Sequence, residues 1–186
     1  GPSTAALEVT LGLADPGDDG STPGIRFACR PAASERASAA CMRYSVWLPD
    51  DFDYAKGGNL PGFFGGELPT SGEKITNGID LRTRWHREGL TGQWIGSRTA
   101  PLARGRWSSI EQELKLNTPG AKDGVLRVWK DGVKVVETKR LAMREDDSIV
   151  LEGVAANVGF ALTPTRQLPR GQPGTLRMSP IEFAWR

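Results

Sequence analysis

The clearest pattern along the chain is an alternation of apolar and polar residues with a period of two. The segments LEVTLGL, CMRYSVWLP and SSIEQELKL all follow it. Successive side chains of a β-strand point to opposite faces, so each segment predicts a strand with one buried face. The residues predicted to face the core are Leu7, Val9, Leu11, Leu13, Met42, Tyr44, Val46, Leu48, Ile110, Leu114 and Leu116.

Turn signals separate these alternating segments. GVLRVWKDGVKVVET predicts a β-hairpin, because Asp131 and Gly132 tolerate the positive φ that a two-residue turn needs. IVLEGVAANVGFAL and TLRMSPIEFAWR supply further strands, whereas no long segment free of glycine and proline shows a helical repeat. The pattern predicts an all-β fold, a sandwich of two antiparallel sheets.

Length and charge narrow the classes of function. The chain has 186 residues and a net charge of +2, so we expect one domain over residues 4–186. Gly1-Pro2-Ser3 resembles the remnant of a cleaved expression tag. The near-neutral charge argues against nucleic acid as a partner, and no apolar run approaches the ~20 residues that cross a bilayer. We expect neither a nucleic-acid nor a membrane partner, and the oligomeric state stays open.

The two cysteines leave two interpretations open. Cys29 and Cys41 lie at the ends of predicted strands, on either side of a polar, alanine-rich loop. A disulfide would close that loop and would fit a secreted or periplasmic protein. The alternative is two buried thiols. With His86 as the single histidine, the ligands are too few and too scattered for zinc, so no metal or other cofactor is expected.

One segment, FDYAKGGNLPGFFGG, places many glycines beside three phenylalanines and one cation, Lys56. Glycine permits tight turns and lets a ligand or another backbone come close. Pro61 stiffens the middle of the segment, and Phe63 and Phe64 are expected to anchor it to the sandwich. Composition alone favours a structural turn over a binding loop.

Three motifs, in this order, resemble the family 14 polysaccharide lyases, which cut alginate and related polyuronates. They are WLPDDFDYAKGGNLPGFFGGE, LRTRWHREG and RGRWSSIEQELKLNTPGAKDGVLRVWKDG, and they lie between Tyr44 and Gly132. The resemblance implies a β-jelly roll whose concave sheet binds an acidic polysaccharide.

The chain departs from that family at the positions that carry the chemistry. The family's catalytic lysine lies in a Lys-Gly-Gly-Lys segment, where this chain has Lys56 first and Asn59 second. Arg82 matches the family's arginine, but Asp80 replaces the serine two residues before it. Trp94 stands where the first of two family tyrosines is expected.

The strand DLRTRWHRE carries a row of polar residues. Alternation places Asp80, Arg82, Arg84 and His86 on one face, with Trp85 on the opposite, core-facing side. Arginine binds carboxylates through two parallel hydrogen bonds, so the row suits a polyanionic sugar. A solvated sheet face is the alternative, and the resemblance favours sugar binding because it points to the same strand.

Cleavage of a uronate polymer by β-elimination needs a group that neutralises the carboxylate, a base for the adjacent proton and an acid for the leaving oxygen. Arg82 is the candidate for the first role. Lys56 and His86 are the candidates for the base, because lysine and histidine side chains can both take up a proton, and the glycine setting favours Lys56. Tyr54 is a weaker candidate that packing also explains, and Tyr44 belongs to the buried face of its strand.

Aromatic and polar residues complete the predicted binding surface. Trp47, Trp94 and Trp129 can stack against sugar rings, and Arg127 shares the non-core face of its strand with Trp129. The predicted catalytic residues are Lys56, Arg82 and His86. The predicted substrate-binding residues are Asn59, Asp80, Arg84, Trp94, Arg127 and Trp129.

Two functions from different classes follow. The first is a polysaccharide lyase that cleaves an acidic, uronic-acid-containing polymer, which the fold resemblance favours. The second is a non-catalytic carbohydrate-binding jelly-roll domain, which the missing tyrosines and Asn59 favour. We expect the lyase by a narrow margin, since fold alone does not establish chemistry.

Overall fold

The computed structural model describes residues 5–12, 24–31, 37–54, 57–68, 77–87, 89–92, 95–99, 101–160 and 174–185. These residues form fifteen β-strands and no α-helix, so none of them belongs to a helix able to cross a membrane. The strands are β1 (Leu7–Leu11), β2 (Ile25–Cys29), β3 (Ala39–Trp47), β4 (Gly58–Asn59), β5 (Gly62–Gly66), β6 (Gly78–Asp80), β7 (Arg84–His86), β8 (Gly89–Gly92), β9 (Ile95–Thr99), β10 (Trp107–Lys115), β11 (Gly124–Lys130), β12 (Val133–Leu141), β13 (Leu151–Phe160), β14 (Gly174–Met178) and β15 (Glu182–Trp185).

The strands form two antiparallel sheets. Sheet 1 has the order β1-β14-β3-β10-β11-β12, and β15 also pairs with β3. Sheet 2 has the order β6-β5-β13-β4-β7-β8-β9, and β2 also pairs with β13. The predicted sandwich of two antiparallel sheets is therefore confirmed.

The alternating pattern of the sequence places the core between the sheets. Across the β3–β10 pairing, Tyr44 lies opposite Ile110, and both side chains are buried. The core-facing residues predicted for these two strands are buried as expected. Leu7 is an exception, with 46% of its surface exposed. It lies on β1, which is at the edge of sheet 1 among the strands that the structure describes. Leu13 lies outside the described residues.

The predicted hairpin is confirmed at β11 and β12. Asp131 and Gly132 connect the two strands with φ values of 50° and 76°. Both values lie in the left-handed region, which a two-residue turn of this kind requires at both positions. The Asp131 carboxylate also accepts a hydrogen bond of 2.8 Å from the backbone N–H of Ser109, which ties the turn to β10.

The cysteines differ from both interpretations of the sequence. No disulfide joins Cys29 to Cys41, and both side chains are exposed rather than buried. Cys29 ends β2 in sheet 2, whereas Cys41 lies within β3 in sheet 1. The alternation rule assigns a residue to one face of its strand, but it does not say to which sheet the strand belongs.

Candidate functional site

The polar row predicted for residues 80–86 lies on one face of sheet 2. Leu81 and Trp85 are buried in the core, while Arg84 and His86 are exposed on the other side. We call this outward-facing side of sheet 2 the site face. Its described members from the sequence prediction are Asn59, Asp80, Arg82, Arg84 and His86.

The pairing of the strands extends the site face beyond this row. Asn59 on β4 lies opposite Arg84 on β7, so the two side chains share the face. On the other edge of β4, Asn59 lies opposite Gly159 of β13. Asn157 is two residues before Gly159 on β13, so its side chain lies on the same face. Arg26 on β2 lies opposite Asn157 and is exposed.

Sequence reasoning missed Arg26 and Asn157. A weak signal was present, because Arg26 alternates with Ile25 and Phe27, which pack against the core. Without the pairing of β2 with β13, the sequence could not show that this short strand lies beside the polar row.

The most constrained feature of the site face is an ion pair between Asp80 and Arg82. Arg82 donates from Nε to Asp80 Oδ1 at 2.8 Å and from Nη2 to Oδ2 at 2.6 Å. The backbone N–H of Arg82 also donates to Oδ1, at 3.0 Å. Their side chains are only 18% and 17% exposed. Burial reduces screening by water, so this pair is held more firmly than a surface pair.

The residues on either side of Arg82 are held by hydrogen bonds from the core. Gln112 of β10 donates from Nε2 to the carbonyl of Leu81 at 3.1 Å. The Tyr44 hydroxyl lies 3.2 Å from Thr83 Oγ1 and donates to the carbonyl of Pro61 at 3.2 Å. These side chains from sheet 1 therefore position the segment of sheet 2 that carries Arg82.

The glycines of the Lys56 segment are required by packing within the protein. A Cβ atom at Gly58 would lie 1.9 Å from the Trp85 ring, and one at Gly62 would lie 2.1 Å from the Leu81 carbonyl oxygen. The close approach that glycine permits here is therefore an approach of two parts of the chain.

The phenylalanines anchor this segment, as the sequence predicts. Phe63 and Phe64 are both fully buried. Phe63 packs against Trp185 with ring centroids 5.8 Å apart. Phe64 lies opposite Asp80 in the β5–β6 pairing, and the guanidinium of Arg30 covers its ring at 4.9 Å.

Of the three predicted catalytic residues, the structure places two. Arg82 and His86 share the site face, and Lys56 lies outside the described residues, as does Trp94. His86 lies against Gly57, where an added Cβ atom would be 3.1 Å from Nδ1. His86 therefore lies beside the residue that directly follows Lys56 in the sequence.

Both tyrosines are engaged within the protein. Burial raises the pKa of Tyr44 well above its ordinary value of 10.0. Burial also raises the pKa of Tyr54, whose hydroxyl donates to the carbonyl of Leu102 and whose ring lies 4.7 Å from the Arg104 guanidinium. A tyrosine base would need a lowered pKa, so neither residue is suited to remove a proton from a substrate.

Arg127 and Trp129 do not lie with the other predicted residues. They occupy the outward face of β11 in sheet 1, on the opposite side of the core from the site face. Arg127 is also bound by two carboxylates there: it donates from Nε to Glu137 at 2.7 Å and from Nη1 to Glu113. This placement corrects the expectation of one surface shared by all the predicted residues.

The described residues contain no group of three or more His, Cys, Asp and Glu side chains arranged to hold a metal ion. The described side chains of the site face carry guanidinium, imidazole, carboxylate and amide groups. Such groups can bind an anionic sugar and transfer protons.

Comparison with known proteins places this arrangement in a family. The family model described as Polysaccharide lyase 14 matches residues 3–96 and 91–161. The chain belongs to this family. The resemblance seen in the three sequence motifs is thereby confirmed, and it extends over both sheets.

Solved structures of lyases share the fold of this polysaccharide lyase 14 chain. Alginate lyase vAL-1 from Chlorella virus superposes with a TM-score of 0.76 at 19% identity, covering 100% of this chain and 88% of that one. The PL-14 alginate lyase from Aplysia kurodai gives 0.75 at 22% identity, covering 97% and 83%. The endo-β-1,4-glucuronan lyase from Trichoderma reesei gives 0.61 at 14% identity, covering 97% and 80%.

At these identities the structural likeness shows the fold, a β-jelly roll, and no more. No curated protein sequence matches the chain. What this member of the polysaccharide lyase 14 family does must therefore be argued from its own residues.

Proposed function

We propose that the chain is a polysaccharide lyase that cleaves a uronic-acid-containing polymer by β-elimination. The observation that carries the proposal is the site face, where Arg26, Arg82, Arg84 and His86 share one side of a sheet in a polysaccharide lyase 14 fold. Its structural relatives are named as alginate and glucuronan lyases, and one of them, Aly36B, was solved with an alginate trisaccharide.

The cations of the site face suit a polymer with a regularly repeated negative charge. Arg84 and Arg26 are exposed, and neither forms an ion pair with another described residue. Both can therefore bind carboxylates of successive sugar units without first breaking an ion pair to any of the described side chains. Asn59 and Asn157 lie among them and offer amide groups to sugar hydroxyls.

His86 and Lys56 are the candidates for proton transfer. His86 is exposed on the site face, and its imidazole can both accept and donate a proton. Its imidazole lies beside Gly57, which follows Lys56 in the sequence. Since neither tyrosine is suited to be the base, these two residues are the ones to test first.

A non-catalytic carbohydrate-binding domain is the second candidate function. It is favoured by the Asp80–Arg82 pair, which neutralises the arginine that matches the family's own, and by the engagement of both tyrosines. Both functions require the protein to reach polyuronates, which lie outside the cytoplasm. We therefore propose that the protein is secreted or periplasmic.

One experiment separates the two functions. The protein is incubated with alginates, glucuronans and other polyuronates, and the ultraviolet absorbance of newly formed unsaturated ends is followed. A lyase produces this signal and loses most of it in Arg84→Ala. Arg43→Ala is the matched control, because Arg43 is an exposed arginine on the outward face of sheet 1. Binding without any absorbance change would establish the binding domain instead.

A further inference from the structure

The Asp80–Arg82 ion pair influences which sugar unit the site can bind. Arginine has five N–H donors, and Asp80 occupies the Nε donor and one donor on Nη2. The other N–H on Nη2 and both N–H groups on Nη1 donate no hydrogen bond to Asp80. The pair therefore offers hydrogen-bond donors while carrying no net charge.

A free uronate is a poor match for such a pair. β-Elimination from a uronate requires its carboxylate to be neutralised, because the negative charge opposes removal of the neighbouring proton. The positive charge of Arg82 is already balanced by Asp80 at 2.6 Å. A substrate carboxylate that approached Arg82 would also meet the like charge of Asp80, which disfavours its binding.

A uronate ester is a good match. Its carbonyl is neutral, accepts hydrogen bonds and already makes the neighbouring C–H more acidic than a carboxylate does. The remaining N–H donors of Arg82 can bind that carbonyl and stabilise the negative charge that develops on it. The low exposure of both side chains, 17% and 18%, strengthens such a hydrogen bond.

Two exposed cations share the face with the pair. Arg84 and Arg26 are exposed on the same face and retain their charges for carboxylates of neighbouring sugar units. The face as a whole therefore fits a polymer in which free carboxylates flank an esterified unit.

We propose that the substrate is a partly esterified polyuronate, with the ester on the unit that loses its proton, and that Asp80 determines this preference. The inference rests on the proposed lyase function. In the reaction a base, for which Lys56 and His86 are the candidates, takes the proton from C5. The C5–H electrons form the C4=C5 double bond, and the bond from C4 to the glycosidic oxygen breaks. That oxygen takes a proton from water or from the protonated base, and the ester stays intact.

The test compares one polyuronate in free and in partly methyl-esterified form. The ratio of initial rates, esterified over free, is measured from the unsaturated ends for the wild type and for Asp80→Ser. We expect the wild type to favour the esterified form by about tenfold, and we expect Asp80→Ser, which releases Arg82, to favour the free form. A wild-type preference for the free polymer, or an unchanged ratio in the variant, would overturn the proposal.

Asp80→Asn guards against a folding defect in Asp80→Ser, because the amide oxygen can still accept a bond from Arg82 while the charge is lost. The ratio should shift toward the free polymer in this variant as well. Glu111→Gln, which removes one negative charge from the outward face of sheet 1, should leave the ratio as in the wild type.

Binding distinguishes this proposal from the proposed function. The dissociation constants of esterified and free oligomers are measured by calorimetry for the wild type and Asp80→Ser. If no polymer yields unsaturated ends but the wild type still binds the ester about tenfold more tightly, the lyase function fails and the role of Asp80 in recognition stands. If binding shows no preference for the ester, the role of Asp80 fails whether or not the protein is a lyase.

Discussion

Gln112 and Leu81 connect the two sheets through the core: the side-chain amide of Gln112 donates to the Leu81 carbonyl at 3.1 Å. Gln112 is 1% exposed and belongs to β10 of sheet 1, whereas Leu81 directly precedes Arg82 in sheet 2. Gln112, on the core side of sheet 1, thus helps to fix the position of the backbone next to Arg82 in sheet 2.

Replacing Gln112 with leucine tests this connection. The change removes the bond to Leu81 and leaves that buried carbonyl without its side-chain partner, so we expect a loss of about 1–2 kcal/mol in the free energy of unfolding. Denaturant titration measures it. In the lyase assay, kcat should fall more than KM rises, because Arg82 shifts while the exposed cations stay in place. Equal kcat in variant and wild type would show that the bond serves stability alone.

Tyr44→Phe tests the second connection between the sheets, at Thr83 and Pro61. Loss of the buried hydroxyl should cost about 1–2 kcal/mol at neutral pH, read by denaturant titration. Burial raises the pKa of Tyr44 above its ordinary 10.0, so the hydroxyl contributes its full stability below pH 10. Above that pH the unfolded chain ionises first, and the contribution declines as the pH rises.

The alkaline limb is the sharper part of this prediction. The wild type should lose stability above pH 10, and Tyr44→Phe should lose less over the same range. Parallel alkaline profiles for the two proteins would contradict the assignment of that limb to Tyr44.

Gly58→Ala tests the contact between the glycine-rich segment and the core. The new Cβ atom would lie 1.9 Å from the Trp85 ring, so either the ring or the backbone must move. We expect a loss of about 1–3 kcal/mol, measured as a fall in melting temperature. Gly132→Asn is the control, since nothing lies within 4 Å of its Cβ position and asparagine tolerates a positive φ.

Protonation of Glu137 should account for part of the loss of stability at acidic pH. Hydrogen bonds from Arg127, Lys139 and Lys134 lower its pKa from 4.5 to about 2. Because the folded pKa is depressed, the contribution is complete above pH 4.5 and is lost as the pH falls toward 2. Glu137→Gln should therefore show a shallower decline in melting temperature between these pH values, and added salt should reduce the difference. Identical declines would show that other carboxylates dominate.

Lys56→Ala and His86→Ala test the assignment of the base. The residue that removes the proton should lose at least about a hundredfold in kcat when replaced by alanine. If it is His86, kcat should fall in His86→Ala by at least about a hundredfold and far less in Lys56→Ala. Full activity in both variants would remove both residues from the mechanism.

Much of the fold could be predicted because a strand repeats every two residues. The buried faces of β3 and β10, the turn at Asp131 and Gly132, and the burial of Tyr44 and Trp85 all follow from local pattern. These features depend on neighbours in sequence, and alternation reports such neighbours directly.

The site was only partly predictable, because the alternation of apolar and polar residues does not show which distant strands pair with each other. The pattern placed Arg127 and Trp129 on the non-core face of their strand, but that strand belongs to sheet 1. The same limit concealed Arg26, which reaches the site face only through the pairing of β2 with β13.

The Asp80–Arg82 pair could have been inferred more fully. Opposite charges two residues apart on a strand share a face and lie close enough to bind each other. The sequence placed both on one face, but it assigned both to the sugar. The structure shows that Asp80 binds Arg82 itself.

Cys29 on sheet 2 and Cys41 on sheet 1 are both exposed, so a thiol-reactive reagent can attach the protein through either sheet. With Cys29 changed to serine, a maleimide at Cys41 would attach the protein to a bead or a sensor chip through sheet 1. The site face on sheet 2 would then be turned toward the solution. Immobilised in this orientation, the protein could be presented with long polymer chains without its own support obstructing them.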